Sequence, residues 1–311
     1  MKIFVAGASG ALGLPTLRLL VANGHDVIGM TSSEAKRATL DETGVRVAVA
    51  DALDAGATRR AIESAAPDAI ACLLTRLPQR GPMMPRDLKA NAAVQTRGTA
   101  SVAAAARAAG TARIVVQSIV FRYGYDGREE LLEEDAPIHE TAPVRSIQFA
   151  ADGLRDMEKS GLDAGAMILR YGAFYGATAG HMKTVTTMLK RRMPLLPGPA
   201  SGELSWIHLD DAATATVAAL ERGTPGEIYN VCDDEPVSFA AFARELAATT
   251  GLPAPRSAPL WLAKIATPYA ALFSNVSVRC SNAKAKRELG WTPRFPTIRD
   301  GLRHDAAALR S

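Results

Sequence analysis

Residues 3–13 read Ile3-Phe4-Val5-Ala6-Gly7-Ala8-Ser9-Gly10-Ala11-Leu12-Gly13, a short apolar strand running directly into a three-glycine turn. A helix follows, marked by Leu14, Leu17, Leu19, Leu20 and Val21, and Asn23-Gly24 stop it. Such a turn brings backbone N–H groups up to a phosphate, and the helix N-terminus adds the positive end of its dipole. Gly7 makes the tight turn, Gly10 admits a pyrophosphate, and Gly13 lets the helix pack close to the strand. A second strand at 25–30 completes the unit, so the stretch predicts dinucleotide binding rather than a plain strand–helix turn.

Outward from this unit, strands at 2–6, 25–30, 45–50, 68–74, 112–117 and 164–170 alternate with helical stretches at 11–22, 34–42, 55–64, 87–109 and 146–160. Alternation of this kind signals parallel βαβ units joined by right-handed crossovers. The expected fold is α/β, a Rossmann-type doubly wound parallel sheet with a smaller C-terminal substrate-binding part. The division is 1–175 for the dinucleotide-binding domain, with 208–231 returning to it, and 176–311 mainly for substrate. After Gly176 the pattern loosens. A helix at 181–192 leads into Met193-Pro194-Leu195-Leu196-Pro197-Gly198-Pro199, which reads as irregular chain. Residues 205–208 form a short strand, with His208 bracing a helix that starts at Asp210-Asp211 and runs to about Arg222. A strand at 227–231 and a helix at 238–250 follow. The apolar stretch 260–273, with Trp261, Tyr269 and Phe273, reads as pocket or core lining rather than a membrane surface.

The 311 residues suffice for a full core, and 48% hydrophobic with 22% charged residues is ordinary for a globular chain. No segment approaches the roughly 20 apolar residues of a bilayer span, and the first strand begins at once, leaving no room for a signal peptide. Cys72, Cys232 and Cys280 are far apart and lack metal-ligand spacing, so no metal is expected and the setting reads as reduced and cytoplasmic. The net charge of +4 is modest, and its clusters, Lys190-Arg191-Arg192 and Lys284-Ala285-Lys286-Arg287, carry no interleaved aromatics. Nucleic acid and membrane are therefore not expected partners.

Further landmarks come in a fixed order: Asp51-Ala52-Leu53, Asn91 with Gly98-Thr99, Ser118 with Tyr123-Gly124, Leu169-Arg170-Tyr171-Gly172 and Phe174-Tyr175-Gly176. Trp206-Ile207-His208-Leu209-Asp210-Asp211, Ser281-Asn282-Ala283-Lys284 and Glu288-Leu289-Gly290-Trp291-Thr292-Pro293 close the series. Taken with the glycine turn, they resemble the extended short-chain dehydrogenase/reductase superfamily, in its sugar-nucleotide epimerase/dehydratase branch, over nearly the whole chain. The resemblance implies that Gly7, Ser9, Gly10, Ala11, Leu12 and Gly13 cradle the pyrophosphate, and that Asp51 and Ala52 meet the adenine. Leu73, Leu74 and Thr75 would pass the ribose and nicotinamide, and Arg170 and Tyr171 would stand at the nicotinamide end. It also suggests a homodimer through the 87–109 and 146–160 helices.

An acid at the end of the second strand would hold the ribose hydroxyls of NAD and repel a 2′-phosphate. Residues 30–33 carry none, whereas Ser32 and Ser33 stand there and Lys36 and Arg37 follow, so NADP(H) is expected over NAD(H), with Glu34 turning inward as the alternative. The superfamily's proton donor is a tyrosine with a lysine four residues on, the lysine lowering the tyrosine pKa. Four residues after Tyr123, Tyr125, Tyr171, Tyr175, Tyr229 and Tyr269 stand Gly127, Glu129, Tyr175, Ala179, Asp233 and Phe273, so the pair is absent. Its places fall on Val144 and Gln148 or on Ile147 and Ala151, and Ile119 takes the place of the usual catalytic hydroxyl. Ser118 and Tyr123 become the candidate catalytic residues, with Tyr125, His139, Tyr175 and His181 on loops able to close over a substrate. The expected activity is NAD(P)-dependent hydride transfer to or from a small organic substrate. A sugar-nucleotide epimerase or dehydratase and a non-catalytic NADP(H)-binding redox sensor are the alternatives.

Overall fold

The computed structural model describes residues 1–125, 130–272, 274 and 276–310, and Phe273 lies outside them. Seven parallel strands form one sheet: β1 (Lys2–Ala6), β2 (Asp26–Thr31), β3 (Arg46–Val49), β4 (Ala69–Cys72), β5 (Arg113–Ile119), β6 (Met167–Tyr171) and β7 (Ile228–Val231). Their order across the sheet is β7-β6-β5-β4-β1-β2-β3. The chain reverses direction of winding between β1 and β4, and there the carboxyl ends of the strands open a crevice, the usual ligand position of such sheets.

Alternate residues of the central strands feed two cores. Ile3, Val5 and Ala71 face one layer with Leu17 and Leu20 of α1 (Gly13–Ala22). Phe4, Ile70 and Cys72 face the other layer, with Ile62 of α2 (Ala55–Ala65), Val102 of α3 (Thr99–Ala108) and Leu154 and Met157 of α4 (Gln148–Leu162). Burial on both faces explains why these strands are apolar runs without alternation. The helix expected over 87–109 is continuous in direction but carries a wide π turn at Val94–Gly98. A Cβ on Gly98 would lie 3.2 Å from Leu74 and 3.3 Å from Ala52, so the backbone itself approaches the crevice.

Beyond the sheet, α5 (Gly180–Lys190), α6 (Leu209–Arg222), α7 (Phe239–Thr250) and α8 (Leu260–Ala266) follow. His208 is the N-cap of α6, its Nδ1 accepting the Asp210 N–H at 3.2 Å. Two sequence expectations need correction. Residues 194–197 are not irregular: Pro194–Pro197 is a strand paired parallel to Arg256–Ala258, because proline tolerates an edge that asks nothing of its nitrogen. The 260–273 stretch is not all core either, since Trp261, Leu262 and Ile265 are exposed on the outer side of α8. All three cysteines are free and buried.

Candidate active site

The turn between β1 and α1 is defined by what it has no room for. Gly7 has φ +84°, and a Cβ there would run into the Leu73 carbonyl, while one on Gly13 would meet the Gly7 and Ala8 carbonyls. The Gly10 N–H donates to the Gly7 carbonyl at 2.9 Å, and the Ala8 N–H ties the turn to Met30 at 3.1 Å. Leu12 at the N-cap gives α1 no side-chain cap, so its first turn is left for a ligand to satisfy. Ala8 and Leu12 are buried, whereas Ser9, Gly10 and Ala11 line the open side. The Ser9 hydroxyl lies 3.1 Å from that of Thr31, joining the cradle to the end of β2. These residues fit the pyrophosphate of a dinucleotide.

Past the end of β2, where the sequence places the 2′-phosphate contacts, Ser32 and Lys36 are exposed, and Arg37 is engaged with Glu34 at 2.6 Å. Asp51 follows β3, accepting the Leu53 N–H at 3.0 Å, and Ala52 is buried beside it. Leu73 and Leu74 are buried after β4 and Thr75 is exposed. Arg76 was not anticipated: its N–H donates to the Asn91 side chain at 2.9 Å and its guanidinium stands 3.5 Å from Asp51. The signal for it was Asn91, whose place in the helix after β4 has meaning only if something in the preceding loop meets it.

Ser118, Tyr123 and Arg170 converge, but inward. The Ser118 hydroxyl donates to Glu158 of α4 at 2.6 Å, and Arg170 of β6 grips the same carboxylate with two bonds of 2.9 and 2.8 Å. The Arg170 guanidinium also lies over the Tyr123 ring, 4.7 Å from its centroid. Tyr123 donates its hydroxyl to Asn230 of β7 at 2.8 Å, and Asn230 in turn donates its N–H to Glu134 at 2.7 Å. All three predicted side chains are almost fully buried, and burial raises the Tyr123 pKa despite the adjacent guanidinium. Tyr171 is sealed as well, its hydroxyl 2.6 Å from Thr216 of α6. Glu158 and Asn230 are the hubs that the sequence did not reveal; removing one member of such a buried charge pair costs about 3–5 kcal/mol.

At the start of α4 stand the two registers in which the missing pair would fall. Ile147 is fully buried with Leu88 and Ala150, whereas Val144 is exposed and Gln148 half-buried. The Gln148 amide accepts from the Ala142 N–H at 2.9 Å and donates to the Glu140 carbonyl at 2.9 Å. Neither register supplies an acid or a base. Phe121 and Tyr125 stack at 5.7 Å just beyond β5, and desolvation pushes the Tyr125 phenol up to about 12. Of the other loop candidates, His139 is exposed, Tyr175 is buried with its hydroxyl on the Thr297 carbonyl, and burial lowers the half-buried His181.

Residues 3–232 match the NAD dependent epimerase/dehydratase family. Over 308 residues, 97% of this chain and 99% of the relative, the sequence is 35% identical to a 3-diazoavenalumate denitrifying reductase from a Streptomyces species. Among solved structures, the UDP-glucose 4-epimerase of Thermus thermophilus in complex with NAD superposes with a TM-score of 0.79 at 22% identity, covering 100% of this chain and 99% of that one. A dTDP-glucose 4,6-dehydratase from Streptomyces venezuelae with NAD bound superposes at 0.80 with 21% identity, covering 100% and 97%. At that identity the two structures speak for the fold.

Proposed function

The chain belongs to the NAD-dependent epimerase/dehydratase family, and within it we propose an NAD(P)H-dependent reductase that prefers NADP(H) and acts on a small organic substrate. The observation that carries this reading is the start of α4, where Val144 and Gln148 stand in the first register of the family's proton-transfer pair. Epimerases and dehydratases begin by taking a proton from a sugar hydroxyl, which needs a base of suitable pKa. Valine and glutamine supply none, and Ile119 cannot share a proton either.

When bound, the cofactor supplies or accepts a hydride. The protein's own contribution is placement and the exclusion of water. The Gly7–Gly13 turn holds the pyrophosphate, Ser32 and Lys36 meet the 2′-phosphate, and Asp51 accepts the adenine amine. The backbone of Leu73, Leu74 and Thr75 lines the ribose side. Ser118, Tyr123 and Arg170 act from behind, fixing the ends of β5 and β6 through Glu158, while Ile119, Phe121 and Val144 keep the reacting region apolar.

Such a site suits an acceptor whose reduction leaves no alkoxide to protonate. An aryl diazonium is one: the ring carbon gains the hydride, the C–N bond breaks, and dinitrogen leaves with the bonding pair. The 35%-identical relative, named as a diazo-compound reductase, supports that class. The test is absorbance at the reduced-nicotinamide band with aryl diazonium acids, quinones and enones, each against UDP-glucose, with NADPH and NADH in parallel. Acceptor-dependent NADPH oxidation is expected, and Lys36→Glu should narrow the preference for NADPH over NADH by about tenfold or more, on the order of 1.4 kcal/mol. Interconversion of a nucleotide sugar on a retained cofactor would sink the reductase reading.

A further inference from the structure

The outer side of α8 is an apolar patch that the site does not use. Trp261 is 66% exposed, Ile265 71%, Leu262 42%, and Met193 on the adjoining segment 46%. Trp261 and Ile265 are four residues apart and so share one face of the helix, while Ala263 is buried on the inner side. The helix is seated by Leu260, which packs on Gly198 at the end of the Pro194–Pro197 strand. That strand pairs with Arg256–Ala258, Pro194 standing opposite Arg256, so Arg191, Arg192 and Met193 lead into the same corner.

The chain segments that build this patch carry charge of one sign. Residues 164–202 and 246–287 contain no aspartate or glutamate. Arg191, Arg192, Arg256 and Lys264 are exposed, and none of them forms an ion pair among the described residues. By contrast Arg279, Lys284, Lys286 and Arg287, in the second of these segments, are each paired with a carboxylate. The four uncompensated cations therefore gather where the exposed tryptophan, leucine, isoleucine and methionine are.

We propose that this corner docks on an anionic lipid surface, with Trp261, Leu262 and Ile265 entering the headgroup boundary and Arg191, Arg192, Arg256 and Lys264 meeting the lipid phosphates. A surface helix with apolar and basic flanks has this physical signature, and each cation near such a surface adds attraction to the anionic headgroups. A second copy of the chain is the poorer occupant, since it would set four unpaired cations against four more. The contact is peripheral, because no helix among the described residues is long and apolar enough to cross a membrane. It is independent of which acceptor the enzyme reduces.

The test is co-sedimentation of the full chain with phosphatidylcholine vesicles, with and without roughly 30% phosphatidylglycerol. Trp206 and Trp291 are buried, so a blue shift in tryptophan emission on binding reports Trp261. Binding only to the anionic vesicles is expected, released by about 0.5 M salt. Trp261→Ser with Ile265→Ser, and separately Arg191→Ala with Arg192→Ala, should each weaken it on the order of tenfold. Unchanged NADPH affinity shows that the variants are folded. Absence of binding by the wild type, equal binding to neutral vesicles, or variants that bind like the wild type would overturn the proposal. So would a dimer seen by light scattering that Trp261→Ser dissolves without any vesicle binding, or retention on RNA but not on vesicles.

Discussion

Gly10 differs from its two neighbours in the turn. A Cβ on Gly7 or Gly13 collides with backbone, whereas one on Gly10 meets only the Gly7 carbonyl at 3.1 Å and otherwise points to the open side. Gly10→Ala is therefore expected to fold and to lose NADPH affinity by about tenfold or more, on the order of 1.4 kcal/mol, as read by fluorescence titration. Asp233 offers a second measurement. It is buried beside Tyr175, and desolvation raises its pKa well above the ordinary value despite the neighbouring Tyr175 hydroxyl and His208 backbone. A carboxyl that holds its proton more tightly folded than unfolded stabilises below its unfolded pKa, and that contribution is lost as pH rises toward the folded pKa. Asp233→Asn should thus melt like the wild type near about pH 4 and higher than it at neutral pH. The glycines were legible in the sequence because their reason is local and steric. Glu158 and Asn230 were not: Ser118 and Tyr123 lie 40 and 107 residues from them, and although Arg170 is only 12 residues from Glu158, nothing in a strand or helix pattern announces that the two are buried together.

Among the elements, α2 ends in a residue that the geometry does not favour. Ala66 closes it with φ 42°, in the left-handed region, its N–H held by the Ile62 and Glu63 carbonyls. Ala66→Gly keeps those bonds and removes the Cβ conflict, so urea unfolding should show a gain of about 1 kcal/mol. The seven sheet strands could be read from sequence to within a few residues, because each is an apolar run bounded by turn residues and helices. The Pro194–Pro197 strand could not: its pairing with Arg256–Ala258 spans some 60 residues, and its prolines look like breakers until an edge position excuses them. The seven-residue α8 fell below the length at which a helical period separates inner from outer residues, which is why Trp261 and Ile265 were misplaced in the core.

For the molecule as a whole, cofactor binding and folding are linked. If NADPH is the cofactor, a hundredfold excess over its Kd is expected to stabilise the folded chain by about 2.7 kcal/mol, which for a protein of this size raises Tm by roughly 4 °C. Calorimetry with NADPH and NADH tests both the linkage and the preference, since the preferred cofactor gives the larger shift at equal concentration. The fold was legible because a doubly wound sheet repeats one local unit. The 176–311 part was less so, because its short strands and helices meet through pairings distant along the chain. The sheet order has a consequence for how the protein is made. Every residue proposed to meet the phosphates and adenine, from Gly7 to Ala52, lies in the first quarter of the chain, while Asn230, which pins Tyr123, arrives 107 residues after its partner. At about 5–20 residues per second on the ribosome, roughly 10–30 s separate the nucleotide end from that closing strand. A nascent chain halted after β6 carries the glycine turn and the Arg170–Tyr123 stack with no outer strand to close it, a half-made surface that chaperones and proteases are equipped to recognise.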